Sequence, residues 1–351
     1  MGAEKKKLRV VYFTRKQRYL GNFSVETYFE KVRQNLPEEF IPVLCNMPYE
    51  SNGILKRLAN TVYCIFKQGD INHVTGDIHY VTAFLKKRKT VLTILDCGML
   101  HETRGLKNKI FKFFWFTIPI LKCKYITALS QATKGDLIKF TNCNPEKIYV
   151  VYACINDSFK KNYKPFNSSE PRILQLGTAA NKNIQRLIPA LKNIKCKLVI
   201  IGKLSQENRN LLNDNAVECE IYDRRLSEDE VINEYNKSDI LAFVSTLEGF
   251  GMPIVEAHVI GRPVVTSNIT SMPEVGGNAA HYVDPYSVDD INKGFLKVIN
   301  DKNYRDELIE KGYANSARFS PFHIAKQYAA LYCKIAGMQA HAHLTTLYEY
   351  Q

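Results

Sequence analysis

Short apolar runs that stop at a glycine or a polar turn recur along the chain, separated by stretches with helical spacing. In the second half these runs fall at 172–177 (RILQLG), 197–202 (KLVIIG), 220–222, 240–244 and 264–267 (VVTS), each predicting a strand. Between them, 183–191 and 226–236 carry helical spacing. Ser227 with Glu230 three residues on predicts a capping box for the second of these helices. The first half repeats the pattern. Strands are predicted at 8–13, 71–75 (INHVT), 91–95 (VLTIL), 125–129 (YITAL) and 148–152, and a helix at 25–35 follows a turn at Gly21-Asn22. Strands alternating with helices describe βα units on a parallel sheet. The expected fold is therefore α/β, with two doubly wound, Rossmann-like domains. The boundaries read as 1–160, a polar Pro- and Ser-containing linker at 161–171, and 172–319. Ligands of such sheets sit beyond the carboxyl ends of the strands, so the cleft between two facing domains is the expected site.

A length of 351 residues agrees with about two domains, and 45% hydrophobic with 24% charged residues describes a folded chain. No apolar run reaches the roughly 20 residues that cross a bilayer. The basic start, MGAEKKKLRVVYF, leads straight into a strand-like run and does not resemble a secretion signal. The nine cysteines are odd in number and scattered, with no CxxC. That predicts buried free thiols in a reducing compartment and a cytoplasmic location, with no disulfides and no zinc site.

Charge changes the picture more. Residues 1–170 hold 28 lysines and arginines against 14 acids, whereas 171–351 hold 20 against 21. A basic first half fits either a merely solvated surface or an anionic partner, such as a phosphate-bearing substrate or, through peripheral contact, the inner face of an anionic membrane. Nucleic acid is set aside, because no recognition module is present. Residues 107–124, KNKIFKFFWFTIPILKCK, mix lysines with aromatics and contain Trp115. A core helix with lysines at its edges is the expectation, with an interfacial helix as the other reading.

Candidate chemistry is densest at 248–263, EGFGMPIVEAHVIGRP. Gly249-Phe250-Gly251 reads as a tight turn, Pro253 suits the first helical turn, and Gly261-Arg262-Pro263 ends the helix. A glycine turn feeding a helix N-terminus favours phosphate. Glu248 at that mouth would repel phosphate, so it suits a neighbour that is neutral or becomes positive. A sugar ring is both, because its anomeric carbon gains positive charge as a glycosidic bond breaks. Glu256, eight residues on, can hold both hydroxyls of a ribose. Taken alone, two glutamates at this spacing also fit an ordinary solvated helix face. Lys182, in GTAANKN (177–183) just after a strand, is placed to neutralise a diphosphate. Gly21-Asn22 offers a second backbone site. No D-x-D triplet occurs, so neither a divalent metal nor any other cofactor is expected.

The stretch 248–285, EGFGMPIVEAHVIGRPVVTSNITSMPEVGGNAAHYVDP, closely resembles the E-x7-E signature of the retaining glycosyltransferases of family 4, which have the GT-B fold. LQLGTAANKNIQRLIPAL (174–191), LVIIGK (198–203), INHVTGDIHY (71–80), VLTILDCGML (91–100) and ITALSQATKGDL (126–137) also resemble their counterparts there. The resemblance implies that Glu248 sits beside the donor sugar, that Glu256 holds the ribose and that Lys182 neutralises the diphosphate. It implies backbone contacts to sugar or phosphate from Phe250, Gly251 and Met252. Gly177, Thr178, Asn183 and Gly249 join the donor-binding set, and Gly21-Asn22 meets the donor phosphate from the acceptor domain. It further implies a last helix, at about 320–338, that crosses back to the first domain and leaves 339–351 as a tail.

Two positions depart from the family pattern. Thr178 stands where many members carry arginine, which leaves Lys182 with more of the diphosphate charge. Leu95-Asp96 stands where many carry His-Asp, so Asp96 is retained as a catalytic candidate without its imidazole neighbour, and the missing imidazole leaves three readings: a different sugar, a role taken by His101, or lost activity. The expected function is retaining transfer of a sugar from a nucleotide-diphosphate donor to a hydroxyl of a glycan or lipid-linked acceptor, in surface polysaccharide or glycoconjugate synthesis. The alternatives are a catalytically silent nucleotide-sugar-binding homologue and a GT-B nucleotide-sugar epimerase. A nucleotide-dependent dehydrogenase is disfavoured, because no G-x-G-x-x-G follows the first strand of either domain.

Overall fold

A computed structural model of the chain describes residues 7–16, 24–101 and 105–338. Gly21, Asn22 and the tail 339–351 lie outside the described residues. The chain divides into two units. One takes the described residues up to Asn156 together with those from Ser320 onward, and the other runs from Asp157 to Phe319.

The first unit holds β1 (Leu8–Thr14), β2 (Phe40–Asn46), β3 (Ile71–Val74), β4 (Thr90–Ile94), β5 (Tyr125–Ala128) and β6 (Ile148–Val150). They form one parallel sheet in the order β2-β1-β3-β4-β5-β6. Every residue of β3, β4 and β5 is buried, as expected of strands covered on both faces. Helix Pro321–Ala336 packs on this sheet through tyrosines. The Tyr328 hydroxyl lies 2.8 Å from that of Tyr28, and the Tyr332 hydroxyl lies 2.8 Å from that of Tyr12 and 2.6 Å from His73 Nδ1. Burial pushes the His73 imidazole down to about 3, so it stays neutral and serves as a hydrogen-bonding core residue.

The second unit holds β7 (Arg172–Leu176), β8 (Lys197–Ile201), β9 (Glu218–Tyr222), β10 (Ile240–Phe243), β11 (Val264–Ser267) and β12 (His281–Val283). Its parallel sheet runs β12-β11-β10-β7-β8-β9. The order reverses between β7 and β10, which places the switch point of the sheet there. The capping box forms as read from the sequence: Ser227 Oγ accepts from Glu230 N, and Glu230 accepts from Ser227 N at the start of helix Glu228–Lys237. Ser227→Ala is expected to cost about 1 kcal/mol, read as a lower urea midpoint with unchanged slope.

Three expectations are amended. The strands β2 and β12 were not legible, and both are sheet edges. FIPVLCN in β2 carries Pro42 and exposed positions that only an edge tolerates. The segment read as a linker, 161–171, is packed on the second unit: Asn162 N donates to Ile260 O, and Lys164 pairs with Asp239. In 107–124 only part of the helical run is core. Phe116, Pro119 and Ile120 are buried, while Ile110, Phe113, Phe114 and Leu121 are exposed. All nine cysteines are free thiols, eight of them buried.

Candidate functional site

The candidate residues of the second unit assemble at the carboxyl ends of β7 and β10. Gly177 ends β7 with φ +81°, and a Cβ there would lie 3.2 Å from Lys182 Cε. The position needs glycine for its backbone angle and to let the lysine stem lie across it. Asn183 also takes a left-handed conformation, φ 60°, and opens helix Ile184–Ala190. Its buried amide donates to Val244 O at 3.0 Å and to Pro285 O at 2.6 Å. Its side chain thus fixes three loops to one another, and its backbone is engaged too, with N donating to Ala180 O and O accepting from Arg186 N and Leu187 N.

The loop after β10 is tied to the same segment. Thr246 N donates to Asn181 O at 2.8 Å, and Asn181 Nδ2 donates to Leu247 O at 2.8 Å. This lacing brings Lys182 Nζ to 2.6 Å from Glu248 Oε1, with Asn181 Nδ2 3.3 Å from the same oxygen. The ion pair is largely shielded, the two side chains being 20% and 15% exposed. Lys182 Nζ also lies 4.8 Å from the centroid of the Phe243 ring. An ammonium so placed is charged, oriented and partly dry, which raises its value to any anion that displaces or joins Glu248.

The turn that follows is fixed through its main chain. Ser271 Oγ lies 2.6 Å from Phe250 O and 3.1 Å from Glu248 O. The Phe250 ring is buried edge-on against Phe319, so a ligand would meet Phe250 through its backbone. Gly251 has φ +116° and caps helix Met252–Ile260, which carries Pro253 in its first turn. Pro253 has no N–H and Ile254 N donates to Gly251 O at 3.0 Å, so the Met252 amide and the helix dipole make the positive end beside Gly249-Phe250-Gly251.

Glu256 lies one turn into this helix. Tyr235, on helix Glu228–Lys237, donates its hydroxyl to Glu256 Oε2 at 2.6 Å. Burial pushes the Glu256 carboxyl up to about 7; the Tyr235 hydrogen bond and the Lys182 charge act against that, and the Glu228 charge adds to it. Glu256 and Lys182 therefore share one electrostatic environment.

Other candidates fall elsewhere. The Thr178 side chain packs over Gly202, its Cγ2 2.9 Å from where a Cβ would stand, and brings no charge. Asp96 belongs to the first unit, where it is exposed and accepts from Gly98 N at 2.8 Å. His101, the substitute imidazole, is engaged by Asp136, with Nε2 2.6 Å from Oδ2. Among the described residues, no group of three or more His, Cys, Asp or Glu side chains could hold a metal ion. Sequence reasoning missed Asn181, Ser271 and Tyr235. Asn181 adjoins Lys182 and could have been suspected; Ser271 and Tyr235 reach the site only through the fold.

Comparison with known proteins bears on the fold. Residues 156–315 match the family model described as Glycosyl transferases group 1. The serotype-specific mannosyltransferase WbdA of Escherichia coli is 25% identical over 291 residues, covering 71% of this chain and 36% of that protein. The O-antigen chain mannosyltransferase RfbU of Salmonella typhimurium strain LT2 is 27% identical over 206 residues, 56% of this chain and 57% of that one. The chain thus spans between a third and three fifths of the length of these relatives. Among solved structures, Anabaena HepE in complex with UDP and glucose superposes with a TM-score of 0.75 at 16% identity, over 93% of this chain and 100% of that one. The fold is GT-B.

Proposed function

We propose that the chain is a retaining glycosyltransferase of family 4 that moves a sugar from a nucleotide-diphosphate donor to a hydroxyl of a glycan or lipid-linked acceptor. The observation that carries this reading is the shielded Lys182–Glu248 pair beside the positive end of helix Met252–Ile260, at the switch point of the second sheet. One group there suits a departing diphosphate, and the other suits a sugar that gains positive charge. The names of the curated relatives, mannosyltransferases of O-antigen chains among them, favour a surface polysaccharide as product. The UDP and glucose bound by HepE favour a nucleotide-sugar donor.

In this reading the bond between the anomeric carbon and the diphosphate oxygen breaks on the face where the new bond to the acceptor oxygen forms. The acceptor hydroxyl proton passes to the leaving phosphate. Glu248 orients the sugar and stabilises its positive charge. Lys182 and the amides of Gly251 and Met252 stabilise the leaving group, and no divalent ion is needed. Glu256 holds the ribose. The enzyme works in the cytoplasm.

A panel of UDP, GDP, ADP and their sugar conjugates tests the donor by thermal shift. The ligand that fits, at about a hundred times its Kd, adds roughly 2.7 kcal/mol of stability. Absence of any shift at millimolar ligand would remove the donor site. The charge-free Thr178 favours one second reading, a silent homologue. It would show the thermal shift yet release no nucleotide diphosphate when donor and acceptor are mixed.

A further inference from the structure

Helix Ile54–Ile65, in the first unit, is amphipathic with its polarity reversed. Its buried residues are Asn60, Thr61 and Cys64, two of them polar. Its exposed residues include Ile54, Leu55, Leu58, Val62 and Ile65, followed by Phe66. At about 100° per residue these six fall within roughly 120° of arc, opposite the buried face. Leu55 and Phe66 are 82% and 80% exposed. A stripe of this kind costs solubility and aligns with nothing inside the unit, so it points to something outside it.

The stripe has a continuation. The Arg57 guanidinium lies 4.9 Å from the centroid of the Trp115 ring, and Tyr80 links the two segments by a hydrogen bond from Asn60 and a ring contact with Trp115. Beyond Trp115, Ile110, Phe113, Phe114 and Leu121 are exposed at helical spacing. Lys124 N donates to Lys87 O and ties in the exposed run 86–89, KKRK. Across 53–68, 84–89 and 105–124 the sequence places twelve lysines and arginines and no aspartate or glutamate. These three segments therefore combine exposed large apolar side chains with positive charge that no acidic residue of their own offsets.

We propose that this surface docks the protein on an anionic phospholipid bilayer, with the apolar stripes entering the interface and the basic side chains meeting the headgroups. Charge chooses the occupant. A second copy of the chain would set one basic surface against another, whereas an anionic bilayer supplies both the apolar phase and the counter-charge. No helix among the described residues is long and apolar enough to cross a membrane, so the contact is peripheral. The inference stands apart from the sugar-transfer reading, although it would bring the enzyme to a lipid-linked acceptor.

Flotation of the full chain with vesicles tests it, using phosphatidylcholine alone and phosphatidylcholine with phosphatidylglycerol. The chain should float with the anionic vesicles at low salt, and should do so less at high salt. Leu55→Ser/Phe66→Ser should lower the bound fraction at least about tenfold. Leu296→Ser, an exposed apolar residue of the other unit, should leave it unchanged. Both altered positions are exposed, so folding is retained, and the thermal shift with nucleotide reports on the donor site separately. Equal flotation with neutral and anionic vesicles would overturn the proposal, as would unaltered flotation of the double variant. A self-associated wild type that the double variant converts to monomer would assign the surface to a second copy instead.

Discussion

Lys182→Ala is expected to lower turnover by about a hundredfold, ~2.7 kcal/mol of transition-state stabilisation, with a smaller change in donor affinity. The reason lies in its surroundings. Its ammonium is held at 2.6 Å by Glu248 and laid over Phe243, in a loop fixed by Asn181 and Asn183. Little reorganisation separates this arrangement from one in which a phosphate oxygen takes a share of the same charge. Thr178 contributes no second cation, so no neighbour in the loop replaces it. Lys182→Arg should recover part of the rate, since it keeps the charge but changes its reach. Glu248→Gln should also fall by at least about tenfold, because it removes charge from the sugar side. Steady-state release of nucleotide diphosphate measures all three. Near-normal rates in Lys182→Ala and Glu248→Gln together would refute the assignment of this pair to catalysis.

Glu256→Gln should weaken donor binding by about tenfold or more while making the free protein no less stable at neutral pH. Burial pushes this carboxyl from its ordinary 4.5 up to about 7. Between those values the folded protein keeps a proton that the unfolded chain gives up. Raising the pH through this window therefore favours the unfolded chain, and the loss is complete above about 7. The wild type should lose stability from pH 5 to pH 7 relative to the glutamine variant, whose side chain does not titrate. Donor affinity should run the other way. The ionised carboxylate accepts from both ribose hydroxyls, so wild-type affinity should rise through about pH 7 and level off, and the variant should show no such rise. Calorimetric titration at several pH values, with thermal melts in the same buffers, reads both trends. A wild-type donor affinity independent of pH between 6 and 8 would count against Glu256 as the ribose acceptor.

Much of this site was legible because it is local. Gly177, Lys182 and Asn183 lie within one loop, and Glu248 to Glu256 within one turn and helix, so short contiguous stretches carry both their chemistry and the resemblance that implies their roles. The apolar runs that end at a glycine or a polar turn located β7, β8 and β10 for a similar reason: a strand buried on both faces has no polar alternation to disguise it. What escaped was decided at a distance. Tyr235 reaches Glu256 from another helix, and Ser271 anchors the turn from 21 residues beyond Phe250. Neither carries a pattern that singles it out.

The sequence by itself determined two α/β units, the order of their central strands' segments along the chain, and the residue types at the candidate donor site. Those follow from periodicity, turn residues and helix-terminus chemistry, which act over a few residues. Tertiary structure alone decided that β2 and β12 add as edges, that Lys182 and Glu248 form a pair, and that Glu256 is held near neutrality by burial. It also decided which face of helix Ile54–Ile65 points outward. A helical period fixes that an apolar stripe exists, but only packing of the opposite face, here Asn60 hydrogen-bonded to Tyr80 and to Tyr49, determines whether the stripe is core or surface.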